Sequence, residues 1–312
     1  MNINDFDYDK ELLLKALAPR KKNIKDLTED QLISRMSIYF HAIEKGLSLK
    51  NIRPLFGIKS GVIPDLINQI TFFIKKFNDN NKICKNVYDT LEEYSIFHKK
   101  KNIKIDKRII NYLHKFKYLK KKFPNKLGGT KTISFKNEIN NEFFLTRRSV
   151  RNFNKKPINK DIIMTCIKNS IYGTPTVCNR PINKVKIITK YEKRKELLKY
   201  QGGNAGFGLS APVLIIVTAN LENYERINER RSPYIGGGML AQSIIYSLHA
   251  KGIGSCCLNW DTNYSNDVKV KKILGLINET IIMYIVAGYY DDNIKVPFSD
   301  KVNIDKNVTF IE

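Results

Sequence analysis

"VLIIVTA", residues 213–219, is the stretch on which the fold turns. It is apolar throughout except for Thr218, and a run of this kind suits a strand covered on both faces, since a strand with one wet face would alternate. Outward from it, VKIIT at 185–189 and TIIMYIVAG at 280–288 also read as strands, and a helix is expected from Pro233 to about Lys251. Strands and helices thus alternate through the second half of the chain, which is α/β or α+β.

The first half reads differently. Thr28 and Gln31 have the spacing of a capping box, and Leu32, Ile33, Met36, Phe40, Ile43 and Leu47 recur at helical intervals, so a helix is expected over 28–47 with Gly46 as its ending. Residues 64–78, 84–99 and 106–121 mix apolar positions at spacings of three and four with Lys on the other side, which predicts further helices. No strand pattern precedes residue 130. The segment KKKFPNKLGGTK, 120–131, combines a basic run, a Pro and a Gly pair, and punctuates the chain as a boundary would. Two units follow: residues 1–130, all helical and of unassigned role, and residues 131–312.

Bulk properties narrow the function classes. The 312 residues carry a formal charge of +24 with 42% hydrophobic residues, enough for a core. Such a charge would suit nucleic acid, yet the Lys residues are scattered rather than striped, so nucleic acid is not the expected partner. Cys84, Cys166, Cys178, Cys256 and Cys257 form no CxxC pair and are expected to be reduced. The start, MNINDFDYDK, is acidic where a signal peptide would be basic and then apolar. No run approaches the ~18 apolar residues of a membrane span. A cytoplasmic protein with no membrane partner is expected.

Chemical signatures are few. His41, His98, His114 and His249 lie far apart, without ligand spacing to another His or Cys, so no metal site is expected. There is no GxSxG, no P-loop, and the glycines of GGNAGFG, 202–208, precede a strand instead of following one. What stands out is RRSVRNF at 147–153, where Arg147, Arg148 and Arg151 bracket Ser149 in a chain that otherwise favours Lys. Planar guanidinium forks beside a hydroxyl suit a phosphate.

Four stretches in order, RRSVRNF, GTPTVCNRP (173–181), GNAGFGLSAPVLIIVTA (203–219) and LHAKGIGSCCLNW (248–260), resemble the FMN-dependent nitroreductase family over roughly residues 135–305. FHAIEKGLS, 40–48, resembles a motif of a longer subgroup with an extra helical N-terminal region. The resemblance implies an α+β fold, with a mostly antiparallel central sheet flanked by helices. It implies FMN as cofactor, with Arg147 and Ser149 at the phosphate and Arg151 beside the pyrimidine edge of the ring, where negative charge develops on reduction. Arg148 is either a solvated or pairing charge or a backbone contact. Asn204 would meet the ring's polar edge, with an ordinary loop Asn as the alternative.

The resemblance further implies a homodimer with FMN at the subunit interface, to which Pro175, Thr176, Val177 and Asn179 come from the other subunit. Cys257, Leu258 and Asn259 match the turn whose backbone approaches flavin N5, and strand alternation sends Cys256 and Cys257 to opposite faces as packed thiols. Lys301 would stand in for a family phosphate-binding Arg, with Asp300, whose charge would repel a phosphate, beside it. Phe207 stands where some relatives carry Lys, which leaves Arg151 as the cation near the ring. The activity implied is ping-pong hydride transfer from NAD(P)H through the flavin to an electron-poor small-molecule acceptor such as a nitroaromatic or quinone, with no catalytic side chain required. The alternatives are a flavin-binding or redox-sensing module without turnover and a basic polyanion-binding protein. His41 and Glu44 share a helix face, as a polar cluster between units or as a substrate contact.

Overall fold

The computed structural model describes residues 3–17, 23–49, 51–131, 141–292, 294, 296 and 308–311. Helix α1 spans Ile3–Leu17 and α2 spans Glu29–Ser48. The capping box at the start of α2 forms: Gln31 N–H donates to Thr28 Oγ1 at 3.3 Å, and Thr28 N–H donates to Gln31 Oε1 at 3.0 Å. Gly46 does not end α2, which runs to Ser48. A Cβ on Gly46 would stand 2.2 Å from the Phe56 ring, so this glycine lets an aromatic side chain pack directly against the helix backbone.

Helices α3 (Val62–Phe77), α4 (Ile83–Lys100), α5 (Lys107–Lys115) and α6 (Leu119–Lys122) follow. The single helix expected over 106–121 is two, broken at Phe116, whose ring is buried while the chain turns. Leu32, Met36 and Ile43 of α2 and Leu66, Ile70 and Phe73 of α3 are wholly buried with Leu91 and Tyr94 of α4. Burying each such side chain contributes about 1.5–3 kcal/mol.

The second part opens with α7 (Asn141–Thr146) and α8 (Lys160–Gly173), then β1 (Asn183–Ile188), α9 (Tyr191–Leu198), β2 (Val213–Asn220), α10 (Ser232–His249), β3 (Gly254–Asn259), α11 (Tyr264–Leu274) and β4 (Glu279–Gly288). The strands pair antiparallel in the order β1-β2-β4-β3, so the fold is α+β, as the sequence leads one to expect. VLIIVTA is the inner strand β2, buried at every position. Val213, Ile215 and Val217 face one core with α8 and α10, while Leu214 and Ile216 face a second core with α9 and α11.

The two parts meet through specific contacts. Ser34 Oγ of α2 donates to the Asn223 carbonyl at 2.7 Å, and Arg35 reaches Glu225 at 3.3 Å. α1 lies against the sheet-containing part, with Leu12 packed on the α8/α10 core. Tyr8 OH donates to Asp267 Oδ2 at 3.0 Å and accepts from Lys271 Nζ at 3.1 Å.

Candidate functional site

The arginine-rich stretch follows directly from the end of α7. Val150 N–H donates to the Ser255 carbonyl at 3.0 Å and Ser149 bridges Ser255 in parallel, so RRSVR lies along the outer edge of β3. That edge position is available because β3 ends the sheet. Arg147 and Ser149 then line a cavity of about 260 Å³ with Gly238, Ala241, Gln242 and Ile245 of α10, and with Ser255, Cys257 and Met283 of the sheet. Among the described residues the lining contains no carboxylate. The Arg147 guanidinium, again among the described residues, has no carboxylate or hydrogen-bond partner, and a Cβ added to Gly238 would meet nothing within 4 Å. An uncompensated guanidinium beside open space is a fitting seat for an anion. Arg148 is employed otherwise: it donates to the carbonyls of Leu145 and, at 3.1 Å, Arg147, closing the end of α7.

Neighbouring titrations carry the imprint of this charge. Burial pushes the Cys257 thiol up to about 11, with Cys256 adding to the rise and Arg147 opposing it. Burial also raises Cys256, against the pull of Arg151, a hydrogen bond with Ser149, and Arg147. His249, whose Nε2 lies 3.1 Å from Thr146 Oγ1, is lowered by burial and by Arg147. Both thiols are therefore protonated at neutral pH and poor nucleophiles. Cys256 joins the α9/α11 core and Cys257 the opposite one, so strand alternation parts them. Leu258 is in the core with Cys256, which leaves only its backbone for a ligand.

Gln201, which sequence reasoning missed, ties two further residues together. Its Nε2 donates to the Asn259 carbonyl at 2.9 Å, and its Oε1 accepts from Gly203 N–H at 2.9 Å and Asn204 Nδ2 at 3.3 Å. Asn204 Nδ2 also donates to the Leu198 carbonyl at 2.8 Å. The same turn carries Phe207, over whose ring the Arg151 guanidinium lies at 5.7 Å. The structure thus gathers Arg147, Ser149 and Cys257 at one cavity, and Arg151 at the turn of Asn204 and Phe207.

Pro175, Thr176, Val177 and Asn179 lie elsewhere, in the loop after α8. Thr176 and Asn179 line a separate cavity of about 600 Å³, Val177 packs on the α8/α10 core and Pro175 is exposed. Arg180, also missed, fixes this loop from within: it is fully buried and donates to the carbonyls of Val177 at 3.1 Å and Asn223 at 2.7 Å, and to Glu229 at 2.8 Å. Lys301 lies outside the described residues. Among the described residues no cluster of three or more His, Cys, Asp or Glu is placed to hold a metal, and no helix is long and apolar enough to cross a membrane.

An antiparallel sheet between helical layers, with an arginine-lined cavity at its edge strand, makes this an α+β protein. Residues 190–289 match the model of the nitroreductase family. The chain is similar to an FMN-dependent nitroreductase from Clostridium difficile, with 21% identity, 55% of this chain and 98% of the other covered, and a TM-score of 0.45. It is also similar to a nitroreductase family protein from Streptococcus pneumoniae, at 19% identity, 55% and 98% coverage and a TM-score of 0.46. An NADPH:FMN oxidoreductase from Vibrio harveyi, complexed with NAD+, gives 21% identity, 55% and 76% coverage and a TM-score of 0.47. No curated protein matches the chain.

Proposed function

We propose that the chain is an FMN-dependent oxidoreductase that takes hydride from NAD(P)H and passes it to an electron-poor acceptor, working as a homodimer. The observation that carries this reading is the Arg147 guanidinium, which among the described residues has no partner and lines a cavity with no acidic residue. Arg147 and Ser149 would hold the phosphate of FMN, and Arg151 would stand near the pyrimidine edge of its ring. Bound there, FMN would supply the hydride chemistry. Cys257 contributes an apolar, protonated wall, and the backbone from Cys257 to Asn259, held by Gln201, would line the ring.

A second copy of the chain is part of the reading for a reason of size. The 260 Å³ cavity is below the ~300–1,000 Å³ of pockets that enclose an organic ligand, and it is bounded by α10, which leaves Ile235 and Met239 exposed. A partner covering α10 would complete the enclosure and bring its own loop after α8 to the ring. The five unpaired cysteines suit the reducing cytosol that this reading assumes.

Purified protein is expected to be yellow, to run at twice the chain mass, and to oxidise NAD(P)H with a quinone or nitroaromatic acceptor. Arg147→Ala should lower FMN occupancy at least tenfold at fixed cofactor concentration. A colourless preparation that takes up no added FMN removes the proposal.

A further inference from the structure

The loop after α8 is held in a conformation that its own residues do not favour. Cys178 and Asn179 both have positive φ, 52° and 53°, and although Asn visits that region readily, Cys does so only where its surroundings impose it. Within the loop, Asn179 N–H donates to the Thr176 carbonyl at 3.0 Å, Arg180 N–H to the Val177 carbonyl at 3.2 Å, and Thr176 Oγ1 to the Arg180 carbonyl at 2.9 Å. The hold from outside comes through the Arg180 side chain. Two of its acceptors, the Asn223 carbonyl and Glu229, belong to the segment that follows β2.

That segment is in turn fixed by α2. The Asn223 carbonyl accepts from Arg180 Nη1 and from Ser34 Oγ, each at 2.7 Å, so one oxygen uses both lone pairs to join the loop to the helical part. A second route runs beside it: Arg35 Nε donates to Glu225 Oε1 at 3.3 Å, Glu225 N–H donates to Glu229 Oε2 at 2.9 Å, and Glu229 Oε1 accepts from Arg180 Nη2 at 2.8 Å. Asn223 Nδ2 adds a bond to the Pro181 carbonyl at 3.3 Å. Ser34, Asn223 and Arg180 are all buried, so water is a poor substitute when one partner is removed. Helix α2 also packs directly against residues 177–179.

We propose that the helical N-terminal part sets the conformation of this loop, with Ser34 and Arg35 as positioning residues that act through Asn223, Glu229 and Arg180 on Thr176 and Asn179. The positioning itself does not depend on the flavin reading. Its consequence for chemistry rests on that reading: if the loop reaches the ring from the other subunit, a change in the packing of one protomer's helical part alters the flavin site it shares with its partner.

Hydrogen exchange of the full chain, read by mass analysis of the peptide covering 174–182, tests the positioning without flavin. The Asn179 and Arg180 amides should exchange at least tenfold faster in the Ser34→Ala/Arg35→Gln double variant, with peptides of α4 unchanged. In an Arg180→Met background the same two substitutions should add less than twofold, because the route passes through that side chain. Unchanged exchange in the double variant, or an equal increment with and without Arg180, overturns the proposal. If α4 accelerates as well, Arg35→Gln alone decides, at a pair only 16% and 19% exposed but not in the core: it should still speed the loop about threefold, and no change there overturns the proposal. FMN titration separates the two readings. Faster loop exchange in a chain that takes up no FMN upholds the positioning and removes the flavin enzyme, and FMN uptake with unchanged exchange does the reverse. Where both hold, the double variant should bind FMN at least threefold more weakly, and equal affinity overturns the link to the flavin site.

Discussion

Arg180→Met removes the fixture that holds the loop of Thr176 and Asn179. The guanidinium, fully buried, makes three hydrogen bonds, to Val177, Asn223 and Glu229, and its carbon lies 5.7 Å from the Tyr224 ring. Hydrogen bonds to a charged group contribute about 1.5–3 kcal/mol each, and removing one partner of a buried ion pair costs about 3–5 kcal/mol. These overlap and are not summed. Glu229 also accepts from Glu225 N–H at 2.9 Å and its side chain is 17% exposed, so it is not stranded, which places the expected loss near 3 kcal/mol, the lower end of that range. Arg180→Lys keeps the charge but a single donor group, and should lose about half as much. Trp260, the one tryptophan, is stacked on Tyr284 at 4.7 Å in the same part of the molecule, so its fluorescence in urea reports the relevant unfolding step. A loss below about 1 kcal/mol for Arg180→Met would mean that the loop is held by its apolar contacts and that the three bonds have water as an equal alternative.

Gly46→Ala should destabilise the helical core by about 1–3 kcal/mol although alanine is the better helix former, and the loss should shrink in a Phe56→Ala background; a double-mutant cycle in urea measures the coupling. Asp106 caps α5, accepting from Arg108 N–H at 2.8 Å, and the Arg108 guanidinium and this N–H hold its carboxyl down at about 2. Because the folded value lies below the unfolded one, its stabilisation is present above about pH 4 and lost as pH falls through about 2. Asp106→Asn, which keeps the cap, should flatten acid unfolding over that window, and Asp106→Ala should lose about 1 kcal/mol at neutral pH. Cys257, with its thiol at about 11, should react with iodoacetamide far more slowly at pH 7.5 than a free thiol and accelerate steadily toward pH 11, as followed by peptide mass analysis.

The local parts of this structure were legible because their causes are local. The Thr28–Gln31 box, the helical spacing through Leu47 and the unbroken run of β2 each declare themselves within a dozen residues. Gly46 misled because a glycine near a helix end has two uses, and only the position of Phe56, fixed by the tertiary fold, decides between them. Strand order was out of reach from periodicity, since β2 pairs with β4 some sixty residues on and no pattern within either strand names its neighbour. At the candidate site, the types and order of Arg147, Ser149 and Asn204 carried the resemblance. Gln201 and Arg180 stayed silent because their value lies in carbonyls far along the chain, at Asn259 and Asn223. The sharing of the Asn223 carbonyl by Ser34 and Arg180 is likewise a product of how the two parts meet.

The docking of α1 has a consequence for how the molecule is made. Its anchor Tyr8 binds Asp267, 259 positions later, whereas the core of α2 to α6 closes on itself within residues 27–119. During synthesis that core can consolidate as soon as it leaves the ribosome, and α1 must wait, apolar side uncovered, until α11 emerges. α1 is thus made well before the surface on which it docks, and a nascent chain halted before residue 264 should remain open to proteolysis within α1 while residues 27–119 resist.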